Sequence, residues 1–113
     1  MSRKSFIEWS DFEKIDIRTG TIVAVERFEK ARNPAYKLWI NFGELGELKT
    51  SAQITELYTP ETLKSRQVLA IVNFRPKQIA DFMSECLVLG VYTTNGVVLL
   101  ETERGTDNGE KVG

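Results

Sequence analysis

Apolar and polar residues alternate most regularly over Tyr36-Lys37-Leu38-Trp39-Ile40-Asn41-Phe42, where Tyr36, Leu38, Ile40 and Phe42 share one face and Lys37, Trp39 and Asn41 the other. A period of two is the mark of a strand buried on one side. Upstream, Ile15 and Ile17 alternate with Asp16 and Arg18, Gly20 interrupts, and Ile22-Val23-Ala24-Val25 continues, so residues 15–28 read as a long first strand. A glycine inside a strand pattern predicts a bulge or tight bend, which a small closed barrel needs to turn its corner. Gly43–Glu47 is a turn and Leu48–Ile54 a third strand. Thr59-Pro60-Glu61 combines an N-cap with proline at the first helical position and predicts a short helix through about Lys64.

Gln67–Phe74 and Cys86–Thr93 are strongly apolar strands, separated by a long connection, Arg75–Ser84, that contains Pro76. Asn95-Gly96 is a type I′ hairpin signal, and Val97–Glu101 completes that hairpin. Thr102–Gly113 is polar, with a second Asn-Gly at Asn108-Gly109. At the other end, Ser10 with Glu13 forms a capping-box pattern that predicts a short helical turn. Phe6, Ile7, Trp9 and Phe12 give this terminal arm more apolar surface than it needs for itself. It either caps the barrel or packs on a second subunit.

The predicted fold is therefore mostly β: three strands, a short helix, two more strands and an added C-terminal hairpin. A helix between strands three and four of a five-stranded Greek-key barrel is the oligonucleotide/oligosaccharide-binding (OB) arrangement. The 113 residues read as a single OB domain, 1–113, with 1–14 as a dimerisation arm. A domain of this size hides roughly two thirds of its unfolded surface, so a dimer would ease a narrow stability margin.

Composition narrows the chemistry. The apolar fraction is 42% and the charged fraction 27%, as in ordinary globular proteins. No apolar run approaches the ~20 residues of a membrane span, and no secretory signal follows the basic start, so a cytoplasmic location and no membrane insertion are expected. The one cysteine, Cys86, sits in an apolar run and reads as a small core residue. There is no histidine, which removes His-dependent triads and His metal ligands, and there is no Gly-rich phosphate loop. Carboxylate pairs such as Glu44/Glu47 and Glu101/Glu103 read as solvated. No catalytic residues, cofactor or metal are expected, and the chain is not expected to be an enzyme.

Net charge is −1, but it is unevenly spread. Lys14–Lys77 carries eleven Lys/Arg against seven Asp/Glu, whereas Asp81–Gly113 carries two against six. A positive body beside a negative C-terminal part steers an anionic or dipolar partner to one face, although a mixed, solvated surface fits the same counts. Two loops concentrate basic residues, amides, aromatics and proline: Lys30–Lys37 and Asn73–Ile79. In an OB barrel the loops after strands one and four flank the ligand groove. The expected groove is lined by Asn33, Tyr36, Lys37, Trp39, Phe74, Arg75, Lys77 and Gln78. The basic groups would hold phosphates or carboxylates, and the aromatics would stack on bases or take apolar side chains. Phe74 and Tyr36 fit equally well as barrel core.

Five segments in this order and spacing carry a resemblance: Ile15–Ile22, Asn33–Leu38, Ser51–Thr55, Asn73–Ile79 and Ser84–Val91. Together they resemble the tRNA-binding-domain family of OB folds, and within it the branch of export-related bacterial chaperones, over about Ile7–Gly113. The resemblance implies a homodimer that binds unfolded or precursor polypeptides and assists their export, with the export machinery as a further partner. It extends the groove to Arg32, Ser51, Gln53, Asn73, Phe82, Ser84 and Glu85. It assigns the dimer interface to the arm and the C-terminal strands, at Phe6, Ile7, Trp9, Phe12, Val97 and Leu99.

Two departures separate the chain from the tRNA-binding branch. Ser84-Glu85-Cys86-Leu87 stands where that branch commonly has Ser-x-Gly-Met, and Arg32 where it often has histidine. A carboxylate at Glu85 would repel phosphate if it faced the groove. These changes favour a peptide ligand, with structure-specific tRNA binding as the alternative. A third reading is an assembly factor bound to a larger enzyme.

Overall fold

Strand β2 (Tyr36–Asn41) supplies much of the barrel core through its alternation: Tyr36, Leu38 and Ile40 are buried, as is Phe42 just beyond. The computed structural model describes residues 2–113; Met1, the first residue of the expected arm, lies outside the described residues. The other elements are helix α1 (Trp9–Glu13), β1 (Ile17–Arg27), β3 (Glu47–Ala52), α2 (Pro60–Leu63), β4 (Gln67–Ile71), β5 (Lys77–Ile79), β6 (Phe82–Ser84), β7 (Leu87–Val88), β8 (Gly90–Thr93) and β9 (Gly96–Leu99). Strands run antiparallel in the order β3-β2-β1-β4-β7, with α2 between β3 and β4. This is the expected OB-like, mostly β fold, a nearly closed barrel.

The bend in β1 lies three residues later than expected. Its register with β2 slips between Ile22 and Ala24, leaving Val23 as the extra residue of a bulge. Gly20 has a different role. A Cβ there would come within 2.7 Å of Ile40 and of the Phe42 ring, so the glycine lets β1 press onto the core side chains of its neighbour. The N-terminal helix also starts earlier than its Ser10 signal. Glu8 is its N-cap, and the Glu8 N–H donates to Asp11 Oδ2 at 2.8 Å. Thr59 caps α2 as expected, accepting from the Thr62 N–H at 3.2 Å.

Three further expectations are corrected. The long connection Arg75–Ser84 carries strands of its own: β5 and β6 form a hairpin with Ile79 paired to Phe82. Its turn carries Ala80 at φ 53, a left-handed residue with none of the usual glycine or asparagine to announce it. The segment Cys86–Thr93 is two strands that join at Leu89, whose N–H still donates to the Leu69 carbonyl of β4 at 2.9 Å while its carbonyl accepts from the Leu100 N–H at 3.1 Å. The Asn95-Gly96 turn is not type I′. Thr93 pairs with Gly96, and neither Thr94 nor Asn95 has the positive φ that a type I′ turn requires.

The polar tail is ordered by β1. The N–H groups of Gly109 and Val112 donate to the carbonyls of Thr19 and Ile17 at 2.7 and 2.9 Å, and the Thr19 N–H donates to the Glu110 carbonyl at 3.0 Å. Gly109, at φ +87, sits where a Cβ would strike the Phe42 carbonyl at 2.5 Å. The second Asn-Gly therefore serves a close backbone approach.

Candidate functional site

Closure of the barrel creates the site. Where β3 should meet β7, the two strands do not pair, and among the described residues one main-chain bond ties β3 to the stretch just before β7, from the Glu85 N–H to the Lys49 carbonyl at 2.8 Å. Side chains take over the rest. The Lys49 N–H donates to Glu85 Oε1 at 2.9 Å, and the Ser51 N–H donates to Ser84 Oγ at 3.2 Å. Ser84 Oγ lies 2.7 Å from Thr50 Oγ1, whose hydroxyl donates to the Cys86 carbonyl at 2.5 Å. The two strand edges part beyond these bonds, and a groove of about 770 Å³ opens between them.

The groove gathers eight of the predicted residues: Arg32, Asn33, Ser51, Gln53, Phe74, Arg75, Lys77 and Ser84. Its lining also includes the apolar residues Ile54, Cys86, Leu87, Val88 and Val97 and the aromatic Tyr92, a set that the sequence pattern does not assign to the groove. Burial pushes the Cys86 thiol up to about 12, partly offset by Thr50, so it stays protonated and acts as apolar lining. Arg32, Arg75 and Lys77 take part in no salt bridge among the described residues, and Glu56 is the one carboxylate among the lining residues.

The remaining predicted groove residues lie elsewhere. Tyr36 is 2% exposed and belongs to the core, its hydroxyl donating to the Tyr58 carbonyl at 2.7 Å. Phe82 is buried with Phe28 in a second, smaller cluster under the β5–β6 hairpin. Trp39 packs edge-on against Phe82 there, and the ammonium groups of Lys37 and Lys49 each lie 5.2 Å from the Phe82 ring centre. The polar face of β2 is thus covered by a hairpin that alternation alone did not reveal. Asn73 ties the end of the arm to the barrel, accepting from the Asp16 N–H at 3.0 Å and donating to the Lys14 carbonyl at 2.7 Å. Gln78 is turned onto its own hairpin, donating to the Ala80 carbonyl at 3.0 Å. Lys30 is bonded to Asp81 and holds that carboxyl below its ordinary range.

Glu85 serves closure, since its carboxylate holds the Lys49 amide. Glu85→Ala is expected to lower stability by about 1–3 kcal/mol, the range for a hydrogen bond to a charged group with its amide left unpaired. Glu85→Gln, which keeps an acceptor oxygen, should recover most of the loss in urea unfolding. An unchanged midpoint in Glu85→Ala would remove the closure role.

Of the residues expected at a dimer interface, Phe6, Ile7 and Trp9 stand 87%, 71% and 78% exposed. Phe12 is half-buried beside Trp9, their ring centres 6.2 Å apart. Val97 lines the groove and Leu99 is in the core, because residues two apart in a strand share one face, here the inward one. The outward pair on that hairpin is Val91 and Val98, paired in register and 49% and 41% exposed. Among the described residues no cluster of acidic or cysteine side chains is placed to hold a metal ion, and no helix is long and apolar enough to cross a membrane.

The chain is similar to known proteins over nearly its whole length. The family described as Putative tRNA binding domain matches residues 17–111. The crystal structure of the CsaA chaperone protein from Picrophilus torridus is 49% identical, with a TM-score of 0.92, and the likeness covers 96% of this chain and 100% of that one. The chaperone CsaA from Bacillus anthracis str. Ames is 46% identical over the same shares, with a TM-score of 0.91. Among curated proteins, the methionine–tRNA ligase of Methanococcoides burtonii is 35% identical over 107 residues, which are 94% of this chain and 16% of the ligase. The chain spans about a sixth of the length of the curated relatives it matches.

Proposed function

The chain belongs to the tRNA-binding-domain family and, within it, to the group named CsaA, and from that premise we propose that it is a non-catalytic binding domain whose groove holds unfolded or precursor polypeptides. It acts in the cytoplasm as a homodimer and keeps its clients competent for export. The observation that carries this reading is the make-up of the groove. An apolar lining from Ile54 to Val97 is joined by three cations, Arg32, Arg75 and Lys77, without a salt-bridge partner among the described residues. Burying one large client side chain contributes about 1.5–3 kcal/mol, and a few such anchors with little shape demand give loose, promiscuous binding. The cations add orientation and rate more than affinity.

The same cations favour a second reading, structure-specific tRNA binding, because the family and the ligase relatives carry that name. Side-by-side titration of an unfolded polypeptide and of tRNA at low and high salt separates the two. Under the peptide reading, Arg75→Ala with Lys77→Ala weakens the polypeptide by about 1–2 kcal/mol, since both charges are exposed. Phe74→Ala weakens it more. Phe74 is 55% exposed at the rim, so its truncation reports on binding and not on folding. Salt dependence is shallow. Steep loss of affinity with salt, dominated by the basic pair and indifferent to Phe74, is the signature of counterion release and would favour tRNA.

A further inference from the structure

The way β3 closes the barrel leaves part of its outer edge unused. Main-chain groups of alternate residues in an antiparallel strand point to the same side. Lys49 turns both its N–H and its C=O outward, to Glu85, and Ser51 turns its N–H outward, to Ser84. Both are opposite β2 residues, Trp39 and Lys37, in the register of that pair. Gln53 continues the same phase one step further along the groove. Its N–H and C=O have no hydrogen-bond partner among the described residues. The Ser51 carbonyl meets nothing better than the Thr50 hydroxyl at 3.3 Å, and that hydroxyl is committed at 2.5 Å to Cys86. An acceptor, a donor and a second acceptor therefore stand in strand order along one wall of the groove, at Ser51 and Gln53.

We infer that a client enters this groove as an added β-strand, pairing its backbone with the outer edge of β3 at Ser51 and Gln53. The inference rests on the peptide-binding reading and supplies its mode of recognition. Main-chain pairing reads no side chain, which suits a site with many clients, while alternate client side chains fall on the apolar lining. The occupant is an extended segment, since only an extended chain presents donors and acceptors at this spacing. It carries an acidic residue toward Arg32, Arg75 and Lys77, because Glu56 is the one carboxylate among the lining residues. In this arrangement one client residue exchanges both bonds with Gln53, and the residue two positions away donates its N–H to the Ser51 carbonyl.

The test is a backbone scan. A short fluorescein-labelled peptide of alternating valine and threonine, ended by aspartate, is titrated by anisotropy against the full chain. It is then titrated again as a set of variants, each with one amide N-methylated. Methylation at two positions spaced by two residues is expected to weaken binding about tenfold or more, with the position between them tolerant. In parallel, saturation with the unmodified peptide should slow hydrogen exchange at the Gln53 amide. If the peptide binds but methylation shows no period of two and Gln53 exchange is unchanged, strand addition is overturned while the peptide reading stands. If the peptide fails to bind and tRNA binds, both fall together.

Discussion

Phe42→Ala is expected to destabilise the chain by about 3–5 kcal/mol, the range for truncating a fully buried aromatic. Phe42 is 0% exposed, the last residue of the alternating face of β2 and the junction of three elements. Its ring meets Gly20 of β1 closely enough to forbid a Cβ there, and its carbonyl is approached as closely by Gly109 of the tail. Alanine would leave a cavity that cannot collapse, because β1 already lies against the ring and the tail is held to β1 by hydrogen bonds at Ile17 and Thr19. A loss of that size is a large part of the stability of a domain this small. The urea midpoint should fall with its slope unchanged, and a loss under about 1 kcal/mol would show that the site repacks.

Replacing Phe6, Ile7 and Trp9 together by alanine is expected to convert a dimer into a monomer at micromolar concentration. The three side chains are largely exposed in the single chain and make no part of its core. If the partner covers them, each contributes about 1.5–3 kcal/mol. Their joint loss then weakens association by about three orders of magnitude or more. Sedimentation of the unaltered chain should give twice 12.8 kDa, and of the variant 12.8 kDa. The variant's unfolding midpoint, extrapolated to the monomer, should be unaffected. An unaltered chain that sediments as a monomer, or a variant that remains dimeric, would dispose of the arm as an interface. Val91→Asp is the companion change on the outward side of the C-terminal hairpin.

The groove was legible in part. Arg32, Asn33, Phe74, Arg75 and Lys77 were visible because loops that join barrel strands at one end must share that end, and these residues are polar or aromatic without a periodic reason to be. Tyr36 joins the same set because an aromatic beside a basic loop looks the same whether it points in or out, and Phe82 joins it through the family resemblance alone. Burial separates them: Tyr36 belongs to the inward phase of β2, and Phe82 fills the space under its own hairpin. The apolar lining had no local signal at all. Ile54, Cys86 and Val88 read as core in any sequence, and they line a groove only because β3 and β7 stay unpaired where the barrel closes.

By itself the sequence determined what short-range chemistry dictates: the period-two face of β2, the Thr59-Pro60 start of α2, the order of strands around that helix, and two basic loops whose residues meet in one groove. Each depends on residues a few positions apart, whose backbone preferences and side-chain spacing act before any fold exists. Tertiary structure alone decided the rest. Gly20 went to close packing against Phe42, and the bulge fell at Val23, a residue with no local turn signal. The tail became ordered because β1 offered it an unpaired edge. Glu85 became a closing residue because the Lys49 amide had no strand opposite it. These outcomes set residues 22 to 91 positions apart against one another, where the requirement that every buried main-chain group find a partner outweighs any local preference.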